Sequence, residues 1–356
     1  MKELKLLKGN EAVAEGAIRA GADAYFGYPI TPQSEVMEYL MAEKPESRTG
    51  MVVLQAESEV ASINMIYGAA GTGKKVITTS SSPGISLMQE GISYIAGAEL
   101  PCVIVNVVRG GPGLGTIQPS QADYFQATKG GGHGDYKLIT LAPASVQEMY
   151  DFAGLGFKLA FRYRNPVMIL SDGLIGQMME KVALSEQQPR ATEFDQSWAT
   201  TGKRADRGQN VITSLDLDPA RQEVHNQKLQ AKYRKIEEDE VLYEEISTED
   251  ADYILVAYGS SSRICQKAIE LSRDKGYKVG LIRLITLYPF PKKIIKEIAP
   301  RIKGILCVEQ SAGQMVEDVR LSVGCDLPVE HFGRMGGMVP IPEEVVEALE
   351  QKIIKD

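Results

Sequence analysis

The sequence is poor in the residues that usually hold metal ions or cross-link chains. Its 356 residues include four cysteines, three histidines and one tryptophan. The cysteines are far apart and form no Cys-x-x-Cys pair, which argues against a zinc site or an iron–sulfur cluster within this chain. We expect buried free thiols at Cys102, Cys265, Cys307 and Cys325.

Long apolar segments are also absent. No apolar run reaches the roughly 18 residues that a membrane-spanning helix needs, and the first residues lack the apolar segment of a secretory signal. The formal net charge of −8 argues against nucleic acid or an anionic membrane as the main partner. We therefore expect a cytoplasmic protein that binds neither nucleic acid nor membrane.

The composition and the order of apolar segments indicate a soluble α/β chain. Of its residues, 44% are hydrophobic and 24% are charged. Strand-like segments alternate with helical ones, about six in the first half and four in the second, which predicts two doubly wound domains. We place the first domain at residues 1–185, a polar linker at 186–249 and a smaller domain at 250–356.

The linker contains a charged segment, residues 218–240, with three apolar residues at helical spacing: Leu229, Tyr233 and Ile236. This spacing predicts a helix that either lies on a domain or partner, or stands solvated between them. We slightly favour the solvated helix.

Three short polar segments follow apolar, strand-like segments in the first domain. They are residues 27–32 (Gly-Tyr-Pro-Ile-Thr-Pro), the pair Glu57 and Glu59, and Arg109. In an open parallel sheet, the loops at the carboxyl ends of the strands line one crevice, where ligands bind. A hydroxyl, from Thr31, a carboxylate and a guanidinium are therefore expected to converge there if these strands are neighbours.

The segment at 27–32 is predicted to be stiff, because Pro29 and Pro32 fix their own φ and restrain their predecessors. Thr31 then stands just before a helix predicted at 33–42. It either caps that helix or contacts a ligand, and the two roles are compatible because a helix N-terminus attracts carboxylates.

Glycine- and serine-rich segments offer weaker signals. Residues 68–74 (Gly-Ala-Ala-Gly-Thr-Gly-Lys) nearly match a phosphate-binding loop. However, Lys75 replaces Ser or Thr and the glycines end a helix, so a helix stop is favoured. A nucleotide-dependent enzyme would also need Gly-x-Gly-x-x-Gly directly after the first strand, and this is lacking. The serines at 80–82 open a helix and offer either capping groups or ligand contacts.

Several loops elsewhere are also candidates for ligand binding. The long glycine-rich stretch at 110–136 is expected to be irregular and functional. In the second domain, Gly259-Ser260-Ser261 and Gly313-Gln314 each follow a strand, and residues 333–337 include Arg334. Short turns explain the first two segments equally well, and 333–337 is a further, flexible candidate.

The same motifs carry a resemblance to a known family. Tyr-Pro-Ile-Thr-Pro at 28–32, Glu-x-Glu at 57–59, the strand ending at Arg109, and Leu-Ile-Arg-Leu-Ile-Thr-Leu-Tyr-Pro-Phe-Pro at 281–291 occur in order. Together they resemble the pyrimidine-binding, α-type subunit of 2-oxoacid:ferredoxin oxidoreductases over nearly the whole chain. The branched-chain (2-oxoisovalerate) type is the most similar.

The resemblance implies a thiamine-diphosphate-dependent enzyme. Its expected reaction is the oxidative decarboxylation of a branched-chain 2-oxoacid to an acyl-CoA, with coenzyme A as co-substrate and electrons passed to ferredoxin. The 2-oxoglutarate and pyruvate types remain alternatives. The first domain is then expected to bind the cofactor's pyrimidine, and the second to be a transketolase-C-terminal-like domain.

The resemblance also implies roles for individual residues. Arg109 is expected to bind the substrate carboxylate, because its fork donates to two oxygens at once, and Thr31 to hydrogen-bond the oxoacid. A structural ion pair is the alternative for Arg109. The expected cofactor contacts are Tyr28, Pro29, Ile30 and Glu59.

A glutamate is expected to hydrogen-bond the far ring nitrogen of the pyrimidine, because only Asp or Glu can share a proton in this way. Counting back from Tyr67-Gly68-Ala69 in the family register selects Glu59 as this catalytic group. Without that register, Glu57 remains open, and both carboxylates would also favour a helix N-terminus electrostatically.

The family's magnesium–diphosphate motif has no match in this chain. It reads Gly-Asp-Gly, whereas the nearest string here is Ser171-Asp172-Gly173. Thiamine diphosphate is therefore expected to be shared with a β-type partner chain. Mg²⁺ and iron–sulfur clusters are expected on partner chains, which also include γ-type and ferredoxin-like subunits. The alternative is a non-catalytic assembly subunit of such a complex.

Overall fold

The structure, a computed structural model, describes residues 3–203 and 205–354. The strands of these residues, in chain order, are β1 (Glu3–Lys8), β2 (Ala24–Gly27), β3 (Val52–Gln55), β4 (Val76–Ser80), β5 (Cys102–Val108), β6 (Ile139–Leu141), β7 (Pro166–Asp172), β8 (Met179–Leu184), β9 (Tyr243–Ile246), β10 (Tyr253–Tyr258), β11 (Val279–Leu284), β12 (Thr286–Tyr288), β13 (Gly304–Glu309) and β14 (Val329–Gly333).

The α-helices of the same residues are α1 (Gly9–Arg19), α2 (Ser34–Glu43), α3 (Pro45–Thr49), α4 (Glu59–Gly71), α5 (Ser82–Gly97), α6 (Tyr124–Lys129), α7 (Val146–Tyr163), α8 (Gly173–Gln177), α9 (Pro219–Asp239), α10 (Gly259–Asp274), α11 (Lys292–Ile298), α12 (Met315–Val323) and α13 (Pro342–Leu349). A 3₁₀ turn (Ala299–Arg301) follows α11, and a π-helical turn (Glu350–Ile354) follows α13.

The first half of the chain forms a seven-stranded sheet in the order β12-β6-β7-β5-β4-β2-β3. Its strands run parallel except β12, which pairs antiparallel with β6 and comes from the second half. Helices cover both faces, so that β5 and β7 are buried throughout and consist almost entirely of apolar residues. The α/β prediction is confirmed, but the sequence did not reveal that the second half adds an edge strand.

The second half forms a five-stranded sheet in the order β14-β13-β10-β11-β9. The four predicted strands of this half are present, and β9 joins them as an antiparallel edge strand from the predicted linker. A separate ribbon pairs β1 with β8. The boundaries at residues 185 and 249 stay a prediction.

One hydrophobic core joins the two halves. Buried residues of α5 and α6 pack in the same cluster as buried residues of β10, β11 and α12. A second cluster on the other face of the large sheet contains α1, α7 and α9. Because the first cluster is continuous between the halves, we expect them to unfold together rather than as independent units.

The linker helix α9 packs on the first half. Leu229, Tyr233 and Ile236 are all buried, as part of the second cluster. Lys232 donates a hydrogen bond to the Arg164 carbonyl oxygen across 3.1 Å. The preference for a solvated helix is therefore wrong. Burial of the three apolar side chains stabilises the packed helix by more free energy than the desolvation of its charged residues costs.

Some local predictions also need correction. Cys325 is exposed, whereas the other three cysteines are buried free thiols as expected. The apolar segment at 49–54 predicts a strand, but β3 begins at Val52, since α3 ends in a left-handed turn at Gly50. The stretch at 110–136 is not irregular throughout. It contains α6 and a tight hairpin in which the Gly110 N–H donates to the Gln118 carbonyl across 2.9 Å.

Candidate functional site

The strands that lead to the candidate residues are neighbours in the sheet. Gly27 at the end of β2 lies opposite Gln55 at the end of β3, and Ser80 at the end of β4 lies opposite Asn106 in β5. The loops after these strands therefore leave the same edge, as the sequence predicted. The Ala56 N–H donates to the Gly27 carbonyl across 2.9 Å, which joins the first two loops directly.

The Gly-Tyr-Pro-Ile-Thr-Pro loop is held in place through its carbonyl groups. The side-chain amides of Asn10 and Gln177 both donate to the Pro32 carbonyl, at 2.7 and 2.9 Å. The Gln33 amide donates to the Tyr28 carbonyl across 3.0 Å. These bonds from three separate segments restrain the loop beyond what its prolines do alone.

The loop presents its side chains towards solvent to different degrees. Thr31 and Pro29 are exposed, whereas Tyr28 and Ile30 are half-buried. Gln33 occupies the cap position of α2, so Thr31 is not the cap of that helix. Ligand contact is then the remaining sequence-based role for the Thr31 hydroxyl, and it stays a prediction.

Burial separates the two candidate glutamates. Glu59 is 6% exposed at the start of α4, whereas Glu57 is exposed in the preceding turn. No donor among the described residues forms a hydrogen bond with the Glu59 carboxylate. A Cβ atom on Gly84 would lie 2.8 Å from Glu59 Oε1 and 2.1 Å from Ser80 Oγ, so only glycine fits there. A buried carboxylate without a partner is costly, and its position favours Glu59 over Glu57 as the group that meets a ligand.

Arg109 lies at the end of β5, is 7% exposed, and binds backbone rather than carboxylates. Its guanidinium donates to the carbonyl of Thr31 across 2.9 Å and to that of Leu114 across 3.0 Å. Its Nε is buried without a partner. Among the described residues no Asp or Glu forms an ion pair with Arg109, so the alternative of a structural ion pair is wrong.

Two polar residues beside Arg109, Asn106 and Asp123, were not singled out from the sequence. They contact Ser82, which belongs to the serine segment at 80–82. The Asn106 amide donates to Asp123 Oδ2 across 2.9 Å, and its oxygen accepts the Ser82 N–H across 3.0 Å. Burial raises the pKa of the Asp123 carboxyl, while hydrogen bonds from Ser82 and Asn106 lower it; burial prevails. The sequence could have pointed to Asn106, because it is the one polar residue in the otherwise apolar strand β5.

A cleft of about 650 Å³ lies between the two halves beside Arg109. Its first wall comes from α5, the 110–113 turn and Asp123, and its second from residues 310–314 and 335–336. Of the residues that line it, Arg109 and Asp123 are the only charged ones. A second cleft of about 500 Å³ lies on the side of Thr31 and includes Ile117, Leu174 and Val339.

The first of the three predicted ligand loops of the second half, at 259–261, instead joins the halves. The backbone and hydroxyl of Ser260 both donate to Asp172 Oδ2, at 2.9 and 2.8 Å. Ser261 donates to Gln121 Oε1 across 2.9 Å, and Gln310 exchanges backbone and side-chain hydrogen bonds with Gln121. Gly259 and the serines therefore have a structural role, which the sequence reading allowed equally.

The other two predicted loops behave in the same way. Gln314 donates to the Ala122 carbonyl across 2.6 Å, and so also bridges the halves. Arg334 forms an ion pair with Glu344. A Cβ on Gly110 would lie 2.9 Å from the backbone nitrogen of Gly337, so the 333–337 segment rests on the 110–118 hairpin.

The near match to a phosphate loop at 68–74 ends helix α4, as favoured from the sequence. Lys74 pairs with Asp23 at 3.5 Å, and Lys75 donates to backbone carbonyls. Within residues 3–203 and 205–354, no three His, Cys, Asp or Glu side chains lie together as a metal site would need. In the same residues no helix is long and apolar enough to cross a membrane.

Comparison with known families agrees with this geometry. Residues 15–249 match the family described as "Pyruvate flavodoxin/ferredoxin oxidoreductase, thiamine diP-bdg", and residues 251–345 match "Pyruvate:ferredoxin oxidoreductase core domain II". The chain belongs to the 2-oxoacid:ferredoxin oxidoreductases, as an α-type subunit. The resemblance found in the sequence is thereby confirmed, and with it the thiamine-diphosphate-binding character of the first family model.

Two curated relatives illustrate the range of this family. The ketoisovalerate oxidoreductase subunit VorB of Methanothermobacter marburgensis is 52% identical over 94% of this chain and 93% of its own. The 2-oxoglutarate synthase subunit KorA of Methanocaldococcus jannaschii is 37% identical over 98% and 99%.

Two solved structures share the fold. The 2-oxoglutarate:ferredoxin oxidoreductase from Magnetococcus marinus, with 2-oxoglutarate, coenzyme A and succinyl-CoA bound, has a TM-score of 0.87 and 27% identity. The match covers 99% of this chain and 65% of that one. A split-gene transketolase, described as an inactive β4 tetramer, has a TM-score of 0.59 at 12% identity and supports the fold alone.

Proposed function

We propose that this chain is the pyrimidine-binding subunit of a branched-chain 2-oxoacid:ferredoxin oxidoreductase. The complex would decarboxylate the oxoacid oxidatively to an acyl-CoA and pass the electrons to ferredoxin. The observation that carries the proposal is a pair of buried charged residues at one sheet edge, neither of which forms an ion pair with a described residue. Glu59 is 6% exposed and its carboxylate accepts no hydrogen bond from a described residue, while Arg109 is 7% exposed and its Nε is buried without a partner.

The Glu59 site fits one end of thiamine diphosphate. When bound, this cofactor supplies an electron sink for cleavage next to the oxoacid carbonyl. Glu59 would hold a proton on its carboxyl group against a ring nitrogen, while Gly84 leaves the space that the carboxyl needs. Tyr28, Pro29 and Ile30 would supply further contacts from the loop after β2.

Arg109 would orient the substrate. Its Nη atoms donate to the backbone carbonyls of Thr31 and Leu114, and its Nε is buried without a partner among the described residues. A substrate carboxylate would neutralise the guanidinium and complete its hydrogen bonds, which is favourable where water is excluded. The exposed Thr31 hydroxyl would provide a second hydrogen bond to the oxoacid.

The cleft beside Arg109 supports an oxoacid with an apolar side chain. Arg109 is the only cation that lines the cleft, so a second carboxylate, as in 2-oxoglutarate, would face the Asp123 carboxyl without a partner from this chain. The relatives named as ketoisovalerate subunits are also more similar than those named as 2-oxoglutarate subunits. Both observations favour the branched-chain type.

Exposed apolar side chains support a shared active site. Around the candidate residues they fall into two groups, one on β3, α4 and α5 and one on the two contacting loops: Val52, Leu54, Val60, Leu87, and Leu114, Ile117, Met335, Met338. Leu114, whose carbonyl Arg109 binds, is 81% exposed. Such surfaces are typical of protein interfaces. We propose that a β-type chain covers them and supplies Mg²⁺ and the diphosphate site.

The remaining partners follow from the same proposal. γ-type and ferredoxin-like subunits would complete the complex, the iron–sulfur clusters would lie on partner chains, and coenzyme A would be a co-substrate. The complex would work in the cytoplasm. The family matches at 15–249 and 251–345 support a second domain that begins near residue 250, as predicted. The residues before it would form the pyrimidine-binding domain and its linker.

The experiment is a substrate comparison with the reconstituted complex. The assay follows ferredoxin reduction with 2-oxoisovalerate, pyruvate and 2-oxoglutarate at equal concentrations, with coenzyme A present. We expect kcat/KM for 2-oxoisovalerate to exceed that for 2-oxoglutarate by at least about tenfold, the usual consequence of one unpaired charge. A preference for 2-oxoglutarate would contradict the branched-chain assignment. Full activity of a complex that lacks this chain would instead favour an assembly subunit.

A further inference from the structure

A single polar residue interrupts the buried strand β5. The strand reads Cys-Val-Ile-Val-Asn-Val-Val, and every residue in it is buried. An amide in such a position costs free energy unless its donor and acceptor are both satisfied. Asn106 is fully buried and satisfies both sides, which indicates that the amide is retained for its hydrogen bonds.

The two bonds of Asn106 reach two different loops at the sheet edge. Its nitrogen donates to Asp123 Oδ2 across 2.9 Å, at the position just before α6. Its oxygen accepts the backbone N–H of Ser82 across 3.0 Å, at the first residue of α5. Asn106 therefore fixes the first turn of α5 relative to β5 and to α6.

Ser82 carries this restraint to Arg109. The Arg109 N–H donates to Ser82 Oγ across 3.1 Å, so the backbone of Arg109 is tied to the helix turn that Asn106 holds. The same turn contains Gly84, whose Cα packs beside Ser80 and the Glu59 carboxylate. The buried amide of Asn106 therefore holds the helix turn that contacts both Arg109 and Glu59, the two residues that the proposed function places in the active site.

We propose that Asn106 and Asp123 form a positioning pair that sets the place of Arg109 through Ser82. This inference rests on the proposed function, because it assigns the pair to the binding of the oxoacid carboxylate. Neither residue needs to touch the substrate in this role. Asp123 lines the same cleft as Arg109, and burial raises its pKa, so loss of the Asn106 donor would leave a half-buried carboxyl without its amide partner.

The test exchanges the two side chains. Asn106→Asp removes the donor and sets a carboxylate against Asp123, whereas Asp123→Asn keeps an oxygen that accepts from Asn106. The double variant Asn106→Asp/Asp123→Asn restores one donor and one carboxylate, and still offers an acceptor to the Ser82 N–H. We expect KM for 2-oxoisovalerate in the complex at pH 8 to rise about tenfold or more in Asn106→Asp, and to recover in the double variant.

Two further variants support the comparison. Ser82→Ala removes the acceptor of the Arg109 N–H, and we expect it to raise KM by a smaller factor with kcat nearly unchanged. Asn226→Asp makes the same change of charge on the linker helix α9, and we expect no change in KM. Thermal unfolding of each variant shows whether a kinetic effect follows loss of the fold.

Hydrogen exchange gives a readout that needs no activity. In the lone chain, we expect amide exchange across residues 108–116 to speed up in Asn106→Asp and to slow again in the double variant. Equal exchange in all variants, or a double variant as impaired as Asn106→Asp, would overturn the positioning role. Arg109→Lys, assayed alongside, separates the proposed function from the positioning role. If Arg109→Lys leaves KM unchanged, Arg109 does not bind the oxoacid and the proposed function fails at that residue. The exchange data still decide whether Asn106 and Asp123 position Arg109.

Discussion

The guanidinium of Arg109 donates a hydrogen bond to the backbone carbonyl of Thr31 across 2.9 Å. The contact joins the end of β5 to the loop after β2, although β4 lies between these strands in the sheet. Two residues that the sequence suggested independently are thus held together by the side chain of Arg109 and the main chain of Thr31. Thr31 is exposed, whereas Arg109 Nε is buried without a hydrogen-bond partner among the described residues.

We expect Arg109→Lys to raise KM for the oxoacid by about tenfold or more. An ammonium group cannot replace a planar guanidinium that donates to Thr31, to Leu114 and to the oxoacid at once. The lysine would keep the charge but lose at least one of the bonds to Thr31 and Leu114. Steady-state kinetics of the complex measure this effect. Arg162→Lys, at a surface ion pair with Glu240, is the matched control and should behave as wild type. An Arg109→Lys complex with unchanged KM would mean that Arg109 serves only the two loops.

Glu59→Gln is expected to reduce turnover of the complex by about 10²-fold or more, because the amide cannot hold and release a proton as the carboxyl does. The matched control is Glu57→Gln, two residues away and exposed, which should cost much less. Single-turnover measurements at saturating cofactor separate this effect from weaker binding. Equal losses in the two variants would exclude the assignment of Glu59.

Gly84→Ala tests the space that Glu59 occupies. The added Cβ would lie 2.1 Å from Ser80 Oγ and 2.8 Å from Glu59 Oε1, so at least one of these groups must move. We expect lower turnover and a free energy of unfolding reduced by about 1–3 kcal/mol. Gly68→Ala, in helix α4, meets nothing within 4 Å and should raise stability by about 0.5–1 kcal/mol. Unchanged turnover in Gly84→Ala would mean that the position of Glu59 is not critical.

The ion pairs of Glu15 are expected to make the stability of the fold depend on pH. Burial raises the pKa of this carboxyl, but hydrogen bonds from Arg48 and Arg19, at 2.9 and 2.8 Å, lower it overall. The pKa of Glu15 is lower in the folded chain than in the unfolded one. Its ionised form therefore stabilises the fold fully at a pH above its pKa in the unfolded chain, and this stabilisation is lost as the pH falls through its pKa in the folded chain.

We therefore expect Glu15→Gln to lower the free energy of unfolding by about 1.5–3 kcal/mol at pH 7, with a smaller difference at pH 4. Urea unfolding at both pH values measures this. Glu3→Gln removes the exposed partner of Arg19 and should cost much less. A difference that does not shrink at pH 4 would show that the charge of Glu15 is not what stabilises the fold.

Much of the fold was readable from the sequence, because buried parallel strands leave strong local signals. The apolar run at 102–108, directly before Arg109, predicts a strand with the same bounds as β5. The antiparallel strands β9 and β12 were missed, since their pairing partners lie elsewhere in the chain. The burial of Leu229 and its neighbours likewise depended on a surface that only the folded first half provides.

The candidate site was partly readable for a similar reason. Thr31, Glu59 and Arg109 each lie within four residues of the end of a strand, so the rule for sheet edges brings them together. The residues alone left Glu57 and Glu59 open, and the family register selected Glu59. The burial of Glu59, which the local sequence does not give, favours the same residue. Asn106 acts through partners 17 and 24 residues away along the chain, and no spacing rule predicts such contacts.

The central claim is that this chain carries one half of a shared active site. Isothermal titration of the lone chain with thiamine diphosphate and Mg²⁺, repeated after the β-type partner is added, tests it most directly. A few contacts to the pyrimidine are too little for tight binding by themselves. We predict only weak binding and no oxoacid-dependent reduction of ferredoxin or viologen by the lone chain, with both restored by the partner. Binding in the micromolar range, or turnover, by this chain alone would contradict the account.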